Sequence, residues 1–286
     1  MTASPKTNKV RRSMLQRYAA TPHIVWTVLF IIAPIIFVAY YAFTATVDGT
    51  VIFSFDNIKT FFTPTYLKIF LRSIVLALIS TVICLILGYP IAYFISRTKP
   101  KTQRLLILLI MLPMWMNFLI RTYAIMVLIQ DTGIINSAIG KIGIPPMHIL
   151  GTEGAVILGM VYDYLPYMIL PIYSVMAKLD YSYIEAAGDL GCNGFKVMTK
   201  IIFPLSRSGV ISGITMVFVP SISTFYISQK LGGPSTLLIG DVIEQSYNAS
   251  NYHLTAALSF VLMIILLIGL AIMNKYTDDD GGGMVI

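Results

Sequence analysis

Two ionised side chains of opposite sign stand inside stretches that are otherwise apolar. Asp163 is the one acid well inside such a stretch, and Arg121 lies in the stretch before it. A carboxylate in hydrocarbon is costly and is retained for a partner or a task. Arg121 lies nine residues before Gln130, and Asp163 lies nine after Gly154. If those two ends share one side of a membrane, the pair sits at similar depth on adjacent helices. Asp163 then either forms a structural ion pair with Arg121 or faces a pathway and receives a cation. Trp115, midway along the stretch that carries Arg121, offers an aromatic face worth about 0.5–2 kcal/mol to a cation; packing in a helix bundle is the alternative. Tyr162, Tyr164 and Tyr167 crowd Asp163 and admit the same two readings. Trp115, Asp163 and Tyr167 are the candidate pathway residues. Asp241 and Glu244 read either as attractors of cations or of a protein partner, or as solvated surface.

Other chemistries find little support in the residues. Cys84 lies in an apolar run and Cys192 in a polar loop, which argues against a disulfide framework. His23, His148 and His253 are scattered without metal-ligand spacing, so no metal site is expected. No nucleophile–base pair or phosphate-binding glycine loop is visible.

The elements that must position these residues are membrane helices. Of 286 residues 57% are apolar and 12% charged, and the mean hydropathy is +0.80. Soluble domains carry about twice that charge. In lipid the backbone must satisfy itself, and long continuous apolar runs do so as helices. A hydrocarbon core about 30 Å thick takes about 20 residues. Six stretches suffice: 24–43, 73–96, 105–130, 154–176, 209–229 and 254–274. Pro34, Pro90, Pro113, Pro166, Pro171 and Pro220 fall inside them, which a bundle tolerates where neighbours satisfy the freed carbonyls. Arg11, Arg12 and Arg17 precede the first stretch as in a signal peptide, but that stretch is too long for one and reads as a retained helix.

Basic residues set the orientation. With the N-terminus inside, inner segments hold Lys6, Lys9, Arg11, Arg12 and Arg17, then Arg97, Lys99, Lys101 and Arg104, then Lys178, Lys196, Lys200 and Arg207, then Lys275. Lys59, Lys68, Arg72, Arg121, Lys141 and Lys230 remain for the outer side or the spans. Both termini are expected in the cytoplasm. The net charge of +7 is spread over the ends of apolar runs, which speaks against nucleic acid. The expected organisation is a segment 1–23, a six-helix domain 24–274 and a low-complexity tail 275–286.

The segment 177–208, between the fourth and fifth stretches, is too long for a simple turn. Ser182 is placed to cap a short helix through Ile184, Glu185, Ala186 and Ala187, with Glu185 suiting the dipole. Gly191 permits a sharp bend, and Pro204 is expected to stop a second helix. In that second helix Phe195, Met198, Ile201 and Ile202 form an apolar row opposite Lys196 and Lys200. The result is a helical bracket, which by pattern alone also suits a helix resting on lipid headgroups.

Glu185-Ala186-Ala187, three residues, Gly191, nine residues, Ile201, one residue and Phe203-Pro204 resemble the EAA loop of ABC-importer permeases, EAA-x3-G-x9-I-x-L-P, with Phe203 in place of leucine. The resemblance extends to Leu87-Gly88-Tyr89-Pro90, to the run from Trp115 to Arg121, to Leu165-Pro166-Tyr167 and to the run from Gly232 to Gly240. Together these look like the spermidine/putrescine permease family of the PotB type. The resemblance implies an all-α membrane protein, the six-helix type I ABC-importer permease (MetI-like) fold, in a bacterial plasma (inner) membrane. It implies that Glu185, Ala186, Ala187, Gly191, Ile201 and Pro204 form the loop that docks on an ATPase, the small alanines allowing close approach. The implied partners are two copies of an ABC ATPase subunit, a second homologous permease (PotC type), an extracytoplasmic polyamine-binding protein and the lipid bilayer. ATP and Mg would be used by the ATPase, and no cofactor is expected on this chain. The expected function is a non-catalytic permease for polyamines. Its rivals are a same-fold permease for iron, thiosulfate or a phosphonate, a stand-alone secondary transporter, and an intramembrane enzyme.

Overall fold

The computed structural model describes residues 21–278 except 48, 142, 144 and 235. The basic residues Lys6, Lys9, Arg11, Arg12 and Arg17 and the tail 279–286 lie outside the described residues. Each apolar stretch is helical. Among the described residues five helical stretches have the length and apolar character to cross a membrane, Thr21–Ala42 (α1), Pro64–Ser96 (α3), Phe118–Gly140, Glu153–Met176 (α7) and Tyr252–Met273, and the bent pair Gly194–Leu205 and Arg207–Ser223 makes six when counted as one. The first departure from an all-helical chain is a hairpin of β1 (Thr44–Val47) and β2 (Thr50–Phe53), with Thr44 opposite Phe53. A short helix α2 (Asp56–Phe61) follows it.

The second stretch is longer than its apolar run suggests. Thr63 is extended and Pro64 occupies the first helical turn, where its missing N–H costs nothing, so α3 begins nine residues before Ser73. Its 33 residues make a rod of about 50 Å. Pro90, Pro166 and Pro171 stay inside unbroken helices.

Two expected spans are broken, each within a few residues of a proline. The stretch 105–130 divides into α4 (Pro100–Trp115) and α5 (Phe118–Ile129). Met116 is extended, its N–H returns to the Pro113 carbonyl, and the Asn117 side chain accepts from Leu119 N at 2.8 Å to cap the new helix. The stretch 209–229 divides likewise: α10 (Arg207–Ser223) contains Pro220 and ends at Thr224, which is extended. Helix resumes at residue 226 and closes in one wide turn, Ser228–Gly232. The Pro220 carbonyl beside that break receives the Tyr164 hydroxyl of α7 at 3.5 Å. Broken backbone at membrane depth persists only where protein or a cavity satisfies it.

The centre of the bundle is the trio α3, α7 and α10. Leu76, Cys84 and Ala92 of α3, Met160, Met168 and Ile172 of α7, and Val210 and Val217 of α10 form one buried cluster. Gly209 makes the close approach possible. A Cβ there would lie 2.9 Å from the Pro171 carbonyl oxygen and 3.0 Å from Ile172 Cα, both backbone atoms. Hydroxyls inside the bundle bond back to their own helix, as Ser80 does to Leu76 O at 2.8 Å and Ser221 to Val217 O at 2.6 Å.

A second cluster joins the start of α3 and the end of α10 to α11 (Ile239–Asn248) and α12 (Tyr252–Asp278). The first helix lies outside this bundle. None of the central residues of α1 is buried; Val38 and Ala42 pack against Ala256, Ala257 and Phe260 of α12. A helix apolar on every side is soluble in lipid alone. A short α6 (Ile134–Gly140) leads from α5 towards α7.

Candidate functional site

Asp163 and Arg121 meet where α7 packs on α5. Arg121 Nε lies 3.3 Å from Asp163 Oδ1, and the side chains are 6% and 1% exposed. Arg121 Nε and Nη1 and both Asp163 carboxylate oxygens make no aligned hydrogen bond among the described residues, and the guanidinium also lies 5.8 Å from the Phe118 ring. The pair is therefore held by charge in a dry setting, where each partner is needed to offset the other's desolvation. Beside it Tyr164 and Tyr167 stand edge to face with centroids 6.3 Å apart.

The two helix breaks come together next to this pair. The Phe118 ring, first in α5, is 5.9 Å from the Tyr226 ring, first after the α10 break. Tyr123 closes on Tyr226 at 6.2 Å, and the Lys230 ammonium lies 5.4 Å and 5.6 Å from those two rings. Trp115 is the last residue of α4, at the break, and is 71% exposed on this chain. Tyr162 and Tyr167 are also exposed. Thus Arg121 and Asp163 are in contact, whereas Trp115 and Tyr167 open on the surface. Sequence reading missed Asn117, Tyr123, Tyr226 and Lys230. An Asn just ahead of a helical run is a cap signal, but no local spacing links Tyr123 to Tyr226.

Asp241 differs from both expectations for it. It is neither solvated nor free to attract a cation, being 1% exposed. Its carboxylate accepts from Leu238 N at 2.7 Å and from the Ser228 hydroxyl at 2.9 Å, tying the start of α11 to the turn after α10. Burial pushes its pKa up to about 6 against the lowering effect of those two donors. Glu244 is half-buried and accepts from Gln229 and Asn248.

The bracket between α7 and α10 has two pieces, α8 (Ser182–Asp189) and α9 (Gly194–Leu205). Gly191, between them, has φ +76°, with nothing near where a Cβ would project. Glycine is needed there for its backbone conformation rather than for room. Four expectations for the bracket are corrected. Ser182 does not cap α8; the Asp180 carboxylate accepts from Ser182 N at 3.0 Å, which holds Asp180 below the usual carboxylate range. Asn193 caps α9 by accepting from Lys196 N at 2.9 Å.

Ala187 is 3% exposed and faces the chain's own core, so its small size serves packing within the chain, while Glu185 and Ala186 face outward. Of the expected apolar row, Ile202 is buried and Met198 and Ile201 are partly buried, but Phe195 is 77% exposed and Val197 takes its place on the inner face. Pro204 does not stop α9, which runs on to Leu205 after a wide turn at Met198–Ile202. The stop comes at Ser206, where the path bends by 74° into α10. Leu190, 84% exposed, and Phe195 present apolar side chains on the outside of the bracket.

Paired broken helices thus lie beside a buried ion pair, and a bracket joins α7 to α10, an architecture that solved ABC-importer structures share. A crystal structure of a bacterial ABC transporter involved in the import of the acidic polysaccharide alginate matches with a TM-score of 0.75 at 15% identity, covering 96% of this chain and 98% of that one. The inward-facing MetNI methionine ABC transporter matches with a TM-score of 0.54 at 13% identity, covering 76% of this chain and 96% of that one. The chain belongs to the family of binding-protein-dependent transport system inner membrane components, whose model matches residues 85–276. The spermidine/putrescine transport system permease protein PotB of Haemophilus influenzae is 37% identical over 265 residues, covering 90% of this chain and 92% of that protein. The PotB protein of Escherichia coli is 37% identical over 247 residues, with 84% and 90% covered.

Proposed function

We propose that this permease carries polyamines inward, with its bracket docked in the cytoplasm on an ABC ATPase. The observation that carries the docking is the outer face of the bracket, where Glu185, Ala186, Leu190 and Phe195 are exposed while Ala187, Val197 and Ile202 turn inward. The choice of polyamine rests on the PotB relatives. The chemistry suits it: a polyamine is a chain of ammonium groups and methylenes, and it needs aromatic faces and apolar walls. Trp115, Tyr167 and the ring cluster at the two breaks supply such faces. The structural pairing of Arg121 leaves Asp163 a bundle-building role in this reading.

The working assembly contains two ATPase subunits that use ATP and Mg, a second homologous permease and an extracytoplasmic binding protein. Both termini and the bracket lie on the cytoplasmic side of a bacterial inner membrane. Closure of the ATPase pair pulls on the bracket and, through α7 and α10, opens the pathway outward to receive solute. ATP and the loaded binding protein must each bind one state better than the other for this to occur.

Uptake by the complex reconstituted in vesicles tests the reading. ATP-dependent spermidine or putrescine uptake, not displaced by iron, thiosulfate or phosphonate, is expected; a requirement for one of those solutes overturns it. For the docking, Ala186→Cys should cross-link to cysteines in the ATPase cleft, and an active complex without that cross-link rules it out.

A further inference from the structure

Arg97 closes α3 and stands across two aromatic rings. Its Cζ is 5.6 Å from the Tyr93 centroid and 6.0 Å from that of Tyr181. Nε and Nη2 are buried without a hydrogen-bond partner. A guanidinium gives up its water only against compensating contacts, and here these are ring faces. Tyr93 belongs to α3, whereas Tyr181 immediately precedes α8. Farther back on the same face of α3, at i, i+4 and i+8 spacing with Tyr93 and Arg97, Tyr89 meets the other end of the bracket. Its ring is 5.7 Å from Phe203, and its hydroxyl is 3.1 Å from Ser206 Oγ at the bend into α10. So α3 grips both ends of the bracket. The bracket is covalently continuous with α7 and α10, but α3 is joined to it by side chains alone.

We propose that Arg97 is a positioning residue that makes α3 move with the bracket, its guanidinium carrying displacement of α8 into the longest helix of the bundle. This rests on the docking of the bracket set out above. Lysine is the poorer choice, because an ammonium is a compact, more strongly hydrated charge without the planar face that stacks on a ring.

The test uses the full complex in vesicles and reads the stimulation of ATP hydrolysis by the binding protein, purified with its own bound ligand. Arg97→Ala and Tyr181→Leu should each lower the ratio of stimulated to unstimulated hydrolysis roughly threefold or more, the loss of one ordinary cation–π contact. Tyr181→Phe, which keeps the ring, should leave the ratio at the wild-type level. A merely structural brace would lower both rates together; an unchanged ratio in Tyr181→Leu therefore overturns the proposal. Tyr181 is 56% exposed, so that variant decides the matter even where Arg97→Ala fails to assemble. A wild-type chain that binds no ATPase overturns the docking and this inference together. A stimulated complex whose ratio the variants do not move overturns this inference alone.

Discussion

Replacing Asp163 by asparagine is expected to destabilise the bundle before it affects transport. At 3.3 Å, with an effective dielectric of about 20, the attraction between Arg121 and Asp163 is about 5 kcal/mol. Asparagine removes it and leaves a guanidinium 6% exposed, with the Phe118 ring as its remaining aromatic contact. Breaking one side of a buried pair costs about 3–5 kcal/mol, because the surviving charge stays desolvated. Replacing both partners by apolar side chains of similar volume, Arg121→Met with Asp163→Leu, removes that penalty and should return stability to within about 1 kcal/mol of wild type or above it. Thermal melting of the detergent-solubilised complex, followed by its loss from the monodisperse peak, measures both. A single variant Asp163→Asn that melts with the wild type yet abolishes uptake would refute this reasoning and put the carboxylate on the pathway.

Three further outcomes follow from the packing and the charges. Gly209→Ala should cost about 1–3 kcal/mol, since its methyl meets backbone rather than a side chain that can turn away. Gly269→Ala in α12, with nothing within 4 Å of the added carbon, should instead stabilise by up to about 1 kcal/mol, and paired melting curves compare them. Asp241 has its folded pKa raised from 3.8 to about 6, so the folded state favours its neutral form. That contribution is fully present below the unfolded value and is lost as pH rises to about 6. The melting temperature of wild type relative to Asp241→Asn should therefore fall across that window and level off above it; a rise would contradict the burial argument. Leu190→Asp and Phe195→Asp should each cut co-purification of the ATPase severely while leaving the melting temperature nearly unchanged, because both side chains are exposed; a large drop in melting temperature would show that they pack within the chain.

The parts of the fold legible in the sequence are those that local chemistry determines. Apolar runs of about 20 residues must become helices wherever water is absent, and the long runs did so. Gly191 lies in the left-handed region, as a bend between two short helices requires. The motif around Glu185 was readable because its spacing is a linear pattern.

Other features depend on contacts between residues distant in sequence. Counting residues places Arg121 and Asp163 at one depth, but only the packing of α5 on α7 brings Nε to Oδ1. Proline alone does not announce a break: Pro90 and Pro171 sit inside continuous helices, while the helices containing Pro113 and Pro220 end within three residues. At the two breaks the Tyr164 hydroxyl and the Asn117 side chain take up backbone groups that the helices leave open. The bracket carries apolar residues on more than one side, so periodicity could not tell which face turns inward. Tertiary packing decided it, burying Ala187 and Val197 and leaving Leu190 and Phe195 in contact with solvent.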